Sequence, residues 1–284
     1  MDISDMFTVT PMSQTIELVA GEEYTGRIVV ANPASAKSDF TYRVTASVYN
    51  VRGEEYEADF LTESEQSQIV KWIEIKEPTG TLKPNETREV EFTIKVPENA
   101  PAGGQYAALM VGSAGSGASN GSVTVNNIYE MASIIYANVD GETVREGEIT
   151  SNSFPGFVTS LPITTRATVK NDGNVHEKAR VTVRVKDFFS SNMIYPENNE
   201  TGTIEEVVMP YTTREIIREV DDLSSLGVYE VSQIVQYMGE TFTESHTVIV
   251  CPIWFMMLVA VTVGAIGAAI TYAIRRHRRK KVLV

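Results

Sequence analysis

Apolar and polar residues alternate in short segments throughout the first 250 residues, and Gly, Pro, Asn and Asp separate these segments. The segment Glu89–Val96 shows the pattern most clearly, because every second residue from Val90 onward is apolar and the residues between are charged or polar. Alternation of this kind is typical of a strand that buries one face and exposes the other. Its recurrence at short spacing predicts an all-β fold built from sandwiches.

Two groups of strands are predicted. The first group comprises Phe7–Pro11, Thr15–Val19, Tyr24–Asn32, Phe40–Tyr49, Ile69–Ile75, Thr87–Val96, Gln105–Gly112, Ser122–Val125 and Met131–Val139. The second group comprises Ile163–Val169, Ala179–Val185, Ile204–Met209, Thr213–Glu219, Tyr229–Tyr237 and Phe242–Val250. In both groups a Pro-containing turn leads into a charged, alternating strand. We therefore predict two tandem β-sandwiches, at residues 5–142 and 143–249.

Two turn-rich segments carry further expectations. Asn171–Asn174 (NDGN) contains residues that favour positive φ, and it predicts a hairpin between the strands on either side. Gly112–Ser122 is rich in Gly and Ser, so it is either a flexible hairpin loop or an interdomain linker. We favour the loop, because the strand-like residues that follow would complete the first sheet.

An uncharged, apolar run extends from Ile253 to Ile274. As a helix with a rise of 1.5 Å per residue it would be about 33 Å long, which matches a hydrocarbon core of about 30 Å. We therefore predict a transmembrane helix at residues 250–274. Trp254 and Tyr272 are expected to lie at the two membrane interfaces, where amphipathic rings are favoured.

A basic cytoplasmic tail is predicted at residues 275–284. Its charges are Arg275, Arg276, Arg278, Arg279, Lys280 and Lys281. Because Lys and Arg beside a span are retained in the cytoplasm, we expect a single-pass cell-membrane protein whose N-terminus is extracellular. The first residues, MDISDMF, do not have the pattern of a secretory signal, so we expect that a signal peptide has been removed.

Composition limits the partners. The formal net charge is −13, and removing the six positive charges of the tail leaves −19 for residues 1–247. Such an acidic surface disfavours nucleic acid as a partner. Cys251 is the only cysteine, so no disulfide can form within the chain, and the extracellular part must fold by burying apolar cores.

Short motifs in both regions resemble known surface modules. In the first region, Val70–Ile73, Thr81–Thr87 and Val96–Tyr106 resemble a run found in bacterial extracellular immunoglobulin-like domains. In the second, Val169–His176 (VKNDGNVH) resembles a hairpin motif of the WxL-interacting protein family. The residues that carry this second resemblance are Asn171, Gly173, Asn174 and His176.

The WxL-interacting family consists of surface proteins of Gram-positive bacteria. Its members have two immunoglobulin-like domains, one transmembrane helix and a short basic tail. The resemblance thus implies two tandem immunoglobulin-like β-sandwiches followed by a membrane helix. It also implies that the N-terminal domain contacts peptidoglycan or another wall polymer and that the C-terminal domain engages a partner surface protein.

Motifs for catalysis or metal binding are not found. The sequence contains three histidines, His176, His246 and His277. They belong to no metal-ligand spacing, and the chain has no zinc-protease, nucleophile-elbow or phosphate-loop motif. We expect no catalytic residue, cofactor or metal ion. An envelope hydrolase stays open as an alternative, because sequence spacing cannot pair scattered carboxylates such as Glu54-Glu55 and Asp221-Asp222.

Two non-enzymatic functions remain. The first is a membrane-anchored binding or scaffold protein of the bacterial surface. The second is a fixed subunit of a larger envelope complex in which the membrane helix is itself an interface. Gly264, Gly267 and Ala268 support the second, because small residues at near-helical spacing permit close approach of another helix.

Overall fold

The computed structural model describes residues 6–113, 130–196 and 202–281, with side chains described as far as Arg275. The chain divides into two compact units. The first comprises Met1–Glu148, Lys170–Glu177 and Val207–Arg214, and the second comprises Ile149–Val169, Lys178–Glu206 and Glu215–Val284. The domain boundaries at 5–142 and 143–249 stay a prediction; the compact units differ from them in that two later segments group with the first unit.

The described residues are mostly β, which confirms the predicted class. Strands of the first region are β1 (Thr8–Thr10), β2 (Ser13–Leu18), β3 (Glu23–Ala31), β4 (Phe40–Val48), β5 (Asn50–Arg52), β6 (Glu57–Asp59), β7 (Ile73–Ile75), β8 (Thr79–Leu82), β9 (Thr87–Lys95), β10 (Gly103–Ser113) and β11 (Glu130–Val139). Strands of the second are β12 (Gly147–Ser153), β13 (Phe157–Val158), β14 (Ile163–Asn171), β15 (Glu177–Asp187), β16 (Met193–Tyr195), β17 (Thr203–Val208), β18 (Thr212–Val220), β19 (Gly227–Tyr237) and β20 (Glu240–Val250).

The first region is a sandwich of two sheets. One sheet has the strand order β1-β3-β9-β7, and the other has the order β2-β11-β10-β4-β8. Buried residues from both sheets form one hydrophobic core; Val30 and Phe92 come from the first sheet and Tyr42 and Leu109 from the second. The alternation predicted for Glu89–Val96 is confirmed, because its apolar residues are all buried.

The second region also has two sheets that share a core. Their strand orders are β12-β14-β18 and β13-β20-β19-β15-β16, and β17 pairs with β15. Ile163 and Val220 from the smaller sheet pack in one cluster with Val231 and Val248 from the larger sheet. These side chains are fully or almost fully buried, so solvent is excluded from this core as it is from the core of the first region.

The predicted hairpin around residues 171–174 is wrong. β14 and β15 lie in different sheets, so the segment between them crosses from one sheet to the other. None of residues 171–174 has a positive φ. The residue types of a tight turn are present, but the side chain of Asn171 bonds to main-chain groups outside the turn, as described below.

The strand predicted at Ile69–Ile75 is wrong in its first half. Residues Glu65–Trp72 form a 3₁₀ helix, and only Ile73–Ile75 is a strand. Ser67 Oγ accepts a hydrogen bond from the Ser64 amide at 2.7 Å and so closes the start of the helix. Ile69 and Trp72 are both buried; three residues apart, they share one face of a 3₁₀ helix.

The Gly/Ser run connects two paired strands. β10 and β11 are antiparallel neighbours with Gly112 opposite Glu130, so the run joins strands of one sheet, as the loop prediction requires. Residues 114–129 lie outside the described residues, and with them the strand predicted at Ser122–Val125.

The C-terminal helix α1 extends over Ile253–Lys281. Its start differs from the predicted residue 250, because β20 continues through Val250. The stretch Ile253–Arg275 is long and apolar enough to cross a membrane, with a mean hydropathy of 2.3 and none of it buried in the protein. Thr262 Oγ1 donates to the Leu258 carbonyl at 2.8 Å, and Thr271 Oγ1 likewise donates within the helix, so these hydroxyl groups are satisfied without water.

Candidate binding site

Asn171, Gly173, Asn174 and His176, the four residues that carry the motif, lie in the first unit, and Asn171 is fully buried. Its Nδ2 donates to the carbonyl oxygens of Val175 at 2.8 Å and Val208 at 3.0 Å. Its Oδ1 accepts from the Gly173 amide at 2.9 Å. One side chain therefore satisfies three main-chain groups and ties the 171–175 connection to the end of β17.

Asn174 joins the same connection to the segment that follows β11. Its Oδ1 accepts from the Val144 amide at 2.7 Å, and its Nδ2 donates to the Glu142 carbonyl at 3.0 Å. Its own carbonyl accepts from the Gly104 amide at 2.8 Å. A Cβ at Gly173 would lie 2.3 Å from the Val144 carbonyl oxygen, so this close approach requires glycine.

His176 ends the motif within an aromatic cluster. Its ring lies 5.7 Å from the ring of Tyr106 and 5.3 Å from that of Tyr136. The Tyr106 hydroxyl lies 3.4 Å from His176 Nδ1. Burial raises the pKa of Tyr106 well above its usual value, so this hydroxyl stays protonated. The structure therefore brings all four predicted motif residues together, in packing roles within the first unit.

Beside Tyr106 the first unit has an open cleft of about 390 Å³. Its lining is formed by two parts of the chain, 50–66 and 209–212, and by Tyr106. The lining residues are Asn50, Val51, Arg52, Asp59, Thr62, Ser64, Gln66, Tyr106, Met209, Pro210, Tyr211 and Thr212. The mixture of an ion pair, amides, hydroxyls and the exposed ring of Tyr211 suits a polar ligand with apolar faces.

The first wall of the cleft is held by hydrogen bonds. Asp59 Oδ1 accepts from the amides of Leu61 at 2.9 Å and Thr62 at 3.2 Å. Arg52 Nε lies 3.4 Å from Asp59 Oδ2. Hydrogen bonding by Thr62 and the Leu61 amide, together with the charge of Arg52, holds the pKa of Asp59 below its usual value. Asn50 Oδ1 accepts from Ser64 Oγ at 2.7 Å, which joins both ends of this wall.

The second wall is held by Tyr56. Its hydroxyl accepts from the Met209 amide at 2.8 Å and is hydrogen-bonded to Thr212 Oγ1. The Arg214 guanidinium lies over the Tyr56 ring, 4.4 Å from its centre. Burial raises the pKa of Tyr56, so the phenol is neutral in ordinary conditions. Both walls are thus preformed, and a ligand would not have to order them.

Tyr211 projects from the second wall with an unfavourable main-chain conformation. It follows Pro210, has a φ of 57° and is 64% exposed. The matching turn of the first sandwich, Lys83-Pro84-Asn85-Glu86, has Asn85 at the position after proline, with a φ of 66°. Asn tolerates the left-handed region and tyrosine does so less readily. Tyr211 is thus an exposed aromatic residue with an unfavourable main-chain conformation in the lining of the cleft.

Two other grooves are less suited to binding. One, of about 620 Å³ in the first unit, has charged and uncharged residues in its lining, and both of its basic residues are already paired, Arg27 with Glu89 and Lys76 with Glu91, each at 3.4 Å. The other, in the second unit, contains Glu205, which already bridges two basic side chains at 2.7 Å. Among the described side chains, no group of three or more His, Cys, Asp or Glu residues is placed to hold a metal ion.

The predicted membrane residues lie on α1. Trp254 and Tyr272, near the two ends of the apolar stretch, are 62% and 68% exposed. A Cβ at Gly264 or Gly267 would meet nothing within 4 Å, so this part of the helix is free to accept a neighbour. Arg276 and the basic residues after it lie beyond the described side chains. The roles predicted for all these residues stay predictions.

Comparisons with known proteins leave the family open. No family model matches the chain. No curated protein matches it either. Among solved structures, the class 5 fimbriae chaperone CfaA is similar with a TM-score of 0.40 and 10% identity, covering 85% of this chain and 99% of its own.

Two further structures are similar at the same level. The Escherichia coli chaperone DraB has a TM-score of 0.40 and 9% identity over 85% of this chain and 96% of its own. A chain of the CsuC–CsuE chaperone–tip adhesion subunit complex from Acinetobacter baumannii has a TM-score of 0.38 and 14% identity over 86% of this chain and 98% of its own. Likeness at TM-scores below 0.5 assigns neither a function nor a partner to the chain.

Sequence reasoning missed the cleft itself. Tyr56, Asp59 and Tyr211 were not singled out, because the two walls are about 150 positions apart in the chain. One signal was available in the sequence. The Pro-Asn turn before β9 and the Pro-Tyr turn before β18 are followed by the same Thr-Arg-Glu triplet, at Thr87–Glu89 and Thr213–Glu215, so the change from Asn to Tyr stands out.

Proposed function

We propose that this protein is a membrane-anchored binding protein of the bacterial cell surface, with no catalytic step, whose extracellular part contacts wall polymer and a partner surface protein. The observation that carries the proposal is the preformed cleft with the exposed, strained Tyr211. Support for the anchor comes from α1, which follows β20 after two residues and has the length and hydropathy of a membrane span.

The cleft suits a wall glycan in its chemistry. Tyr211 offers a flat ring for the apolar face of a sugar, and Arg52, which is largely exposed, offers donors for hydroxyl, acetamido or carboxylate oxygens. Asp59 is buried and keeps its charge to low pH because its pKa is lowered, so it continues to hold the first wall and to position Arg52 in acidic surroundings. Peptidoglycan presents all of these groups, and its repeating structure allows many weak contacts to act together.

A sedimentation assay tests the glycan contact. The full-length protein in a mild detergent is mixed with purified peptidoglycan sacculi, and the bound fraction is measured over a range of sacculus concentrations. The variant Tyr211→Asn removes the ring and suits the positive φ. Relief of strain, about 1–2 kcal/mol, and loss of the one-third of the ring that is buried, about 0.5–1 kcal/mol, largely offset one another, so the variant is expected to fold.

We expect at least tenfold weaker binding by Tyr211→Asn, which corresponds to about 1.4 kcal/mol. The matched control is Phe242→Ala, which removes another half-exposed aromatic ring, one that belongs to the second unit and does not line the cleft. Its binding should equal that of the unaltered protein. Equal binding by the Tyr211 variant would contradict the glycan contact at this cleft.

Membership of the WxL-interacting family belongs to the same proposal. It is supported by the VKNDGNVH motif and by the order of two sandwiches followed by an apolar helix and a basic tail. A partner surface protein is then expected. Cross-linking in intact cells, followed by recovery of the full-length protein, should yield one dominant surface protein, and recovery of none would count against this part of the proposal.

A second candidate is a fixed subunit of an envelope complex that assembles through α1. Gly264 and Ala268 are four residues apart on one side of the helix, and the space next to Gly264 is open. Replacing both by Leu should release the protein from its native complex in detergent if the helix is an interface. An unchanged complex would remove this candidate and leave the binding protein.

A further inference from the structure

A short turn in the second unit presents two phenylalanine rings to the surroundings. We call residues Asp187–Asn192, between β15 and β16, the Phe turn. Phe188 is 49% exposed and Phe189 is 81% exposed, and their rings meet edge to face with centres 5.4 Å apart. A soluble surface gains nothing from two adjacent exposed phenyl rings, so their position calls for a partner.

The Phe turn is held in shape by its first residue. Asp187 Oδ1 accepts from the amides of Phe189 at 3.1 Å and Ser190 at 2.7 Å. The Asp187 carbonyl accepts from the Ser191 amide, and the Asp187 amide donates to the Asn192 carbonyl, both at 2.9 Å. The rings therefore project from a closed turn, and their exposure does not come from a loosely held segment.

Strand register locates the Phe turn at the end of the sheet from which α1 leaves. The Phe188 amide donates to the Val228 carbonyl at 3.0 Å. Val228 is opposite Ile249 in the pairing of β19 with β20. β20 ends at Val250, and α1 begins at Ile253. Three residues span at most about 10 Å, so the start of α1 is within that distance of this end of the sheet.

Other exposed apolar side chains lie at the same end. Ile249 is 42% exposed, and Phe157, which pairs with it from β13, is 50% exposed. Met193 follows the Phe turn directly, and Leu226 precedes Gly227, which is opposite Val250. With the Phe turn they form an apolar rim around the point where the chain enters α1.

We propose that the Phe turn inserts into the boundary between lipid headgroups and acyl chains of the same bilayer that α1 spans. This inference rests on the membrane anchor in the proposed function. The interfacial layer on each side of the hydrocarbon core is about 5–8 Å deep, which is similar to the reach set by the three-residue connection. Phenyl rings at this depth exchange contact with water for contact with acyl chains.

Apolar contact, rather than charge, is the basis of the insertion. The connection between β18 and β19 is at the same end of the sheet, and its Asp221 and Asp222 are exposed. Two carboxylates would be repelled by anionic lipid, so attraction to acidic headgroups is not expected here. Vesicles of phosphatidylcholine are accordingly the right membrane for a test.

The single cysteine allows depth to be measured site by site. In a Cys251→Ser background, one cysteine is introduced into the full-length protein at Phe189, Met193, Thr241 or Val263, labelled with a nitroxide and reconstituted into phosphatidylcholine vesicles. Relaxation by oxygen, which concentrates in the bilayer, is compared with relaxation by a water-soluble nickel chelate. Thr241 is the control, since it is exposed and lies near the opposite end of β20.

We expect the oxygen-to-nickel ratio at residues 189 and 193 to be several-fold higher than at residue 241, and that at residue 263 to be the highest. Phe189→Asp in the protein labelled at 193 should lower the ratio there. A ratio at 189 and 193 equal to that at 241, with 263 in the bilayer, would overturn the insertion and leave the anchor intact. If residue 263 is also aqueous, the membrane anchor fails and the insertion fails with it.

Discussion

Replacing Asn171 tests how much the first unit depends on one side chain of the motif. The residue is fully buried, and it makes three hydrogen bonds of 2.8, 2.9 and 3.0 Å to main-chain groups. Asn171→Ala leaves two carbonyls and one amide without this partner in a dry setting. At about 0.5–1.5 kcal/mol for each bond, the loss in free energy of unfolding should be about 3 kcal/mol.

Trp72 provides the signal for this measurement. It is buried in the core of the first unit, and the only other tryptophan, Trp254, can be replaced by Phe. Unfolding of the full-length protein by urea in a mild detergent, followed by Trp72 fluorescence, should show a midpoint lowered by about 1.5 M if the slope is about 2 kcal/mol per M.

Asn192→Ala is the matched control, because Asn192 is exposed and belongs to the second unit. Its free energy of unfolding should change by no more than about 0.5 kcal/mol. The variant Asn171→Asp keeps an acceptor for Gly173 but turns a carboxylate oxygen toward two carbonyls, so it should be at least as unstable as the alanine variant. A change below about 0.5 kcal/mol for Asn171→Ala would refute the reasoning.

Three further results are expected. The pKa of Asp59 is lowered in the folded state, so its charge stabilises the fold above the unfolded pKa of about 3.9. This stabilisation is lost as pH falls through the folded pKa. In thermal unfolding, the stability difference between the unaltered protein and Asp59→Asn should therefore shrink from pH 7 to pH 3. Gly103→Ala should cost about 1–3 kcal/mol in urea unfolding, since φ is 107° there and a Cβ would lie 2.7 Å from the Asn174 carbonyl oxygen. Tyr56→Phe removes the acceptor for the Met209 amide and should cost about 1–2 kcal/mol in the same assay, with a weaker affinity for sacculi.

Strand positions could be predicted because one face of each strand is buried. In β9 the alternation alone identified Val90, Phe92 and Ile94 as core residues, and all are buried. The same rule failed for residues 69–72, which belong to a 3₁₀ helix whose start is closed by Ser64 and Ser67. In a short apolar segment, the spacing of apolar residues fits a strand and a single helical turn equally well. Here the local hydrogen bond between Ser64 and Ser67 favours the helix.

The candidate site could not be predicted because its contacts are distant in the chain. The Tyr56 hydroxyl meets the amide of Met209, 153 positions later. The NDGN segment, in turn, has the residue types of a hairpin, yet its sheet partners are set by where β14 and β15 can bury their apolar faces. The residue types of a turn determine the local main-chain conformation. Which sheet the next strand joins depends on long-range packing of its apolar face, and a short motif carries no information about that packing.

The two sandwiches nevertheless have a buried asparagine with the same hydrogen bond at the same point of their topology. Asn32 follows β3, and Asn171 ends β14; in each case the next strand lies in the other sheet. Asn32 Nδ2 donates to the Leu82 carbonyl at 3.0 Å, and Asn171 Nδ2 donates to the Val208 carbonyl at the same distance.

Leu82 and Val208 each end a strand, and each stands two positions before the proline of the turn that leads into the next strand, β9 or β18. A buried amide thus links the sheet crossing to the Pro turn in both sandwiches, a role that disulfides cannot fill in a chain with one cysteine. Within this repeated framework, Tyr211 occupies the position after the proline that Asn85 occupies in the first sandwich. Since Asn85 adopts a similar φ in the first sandwich, a tyrosine ring is not required for this conformation, so Tyr211→Asn is expected to fold and to test the proposed ligand contact directly.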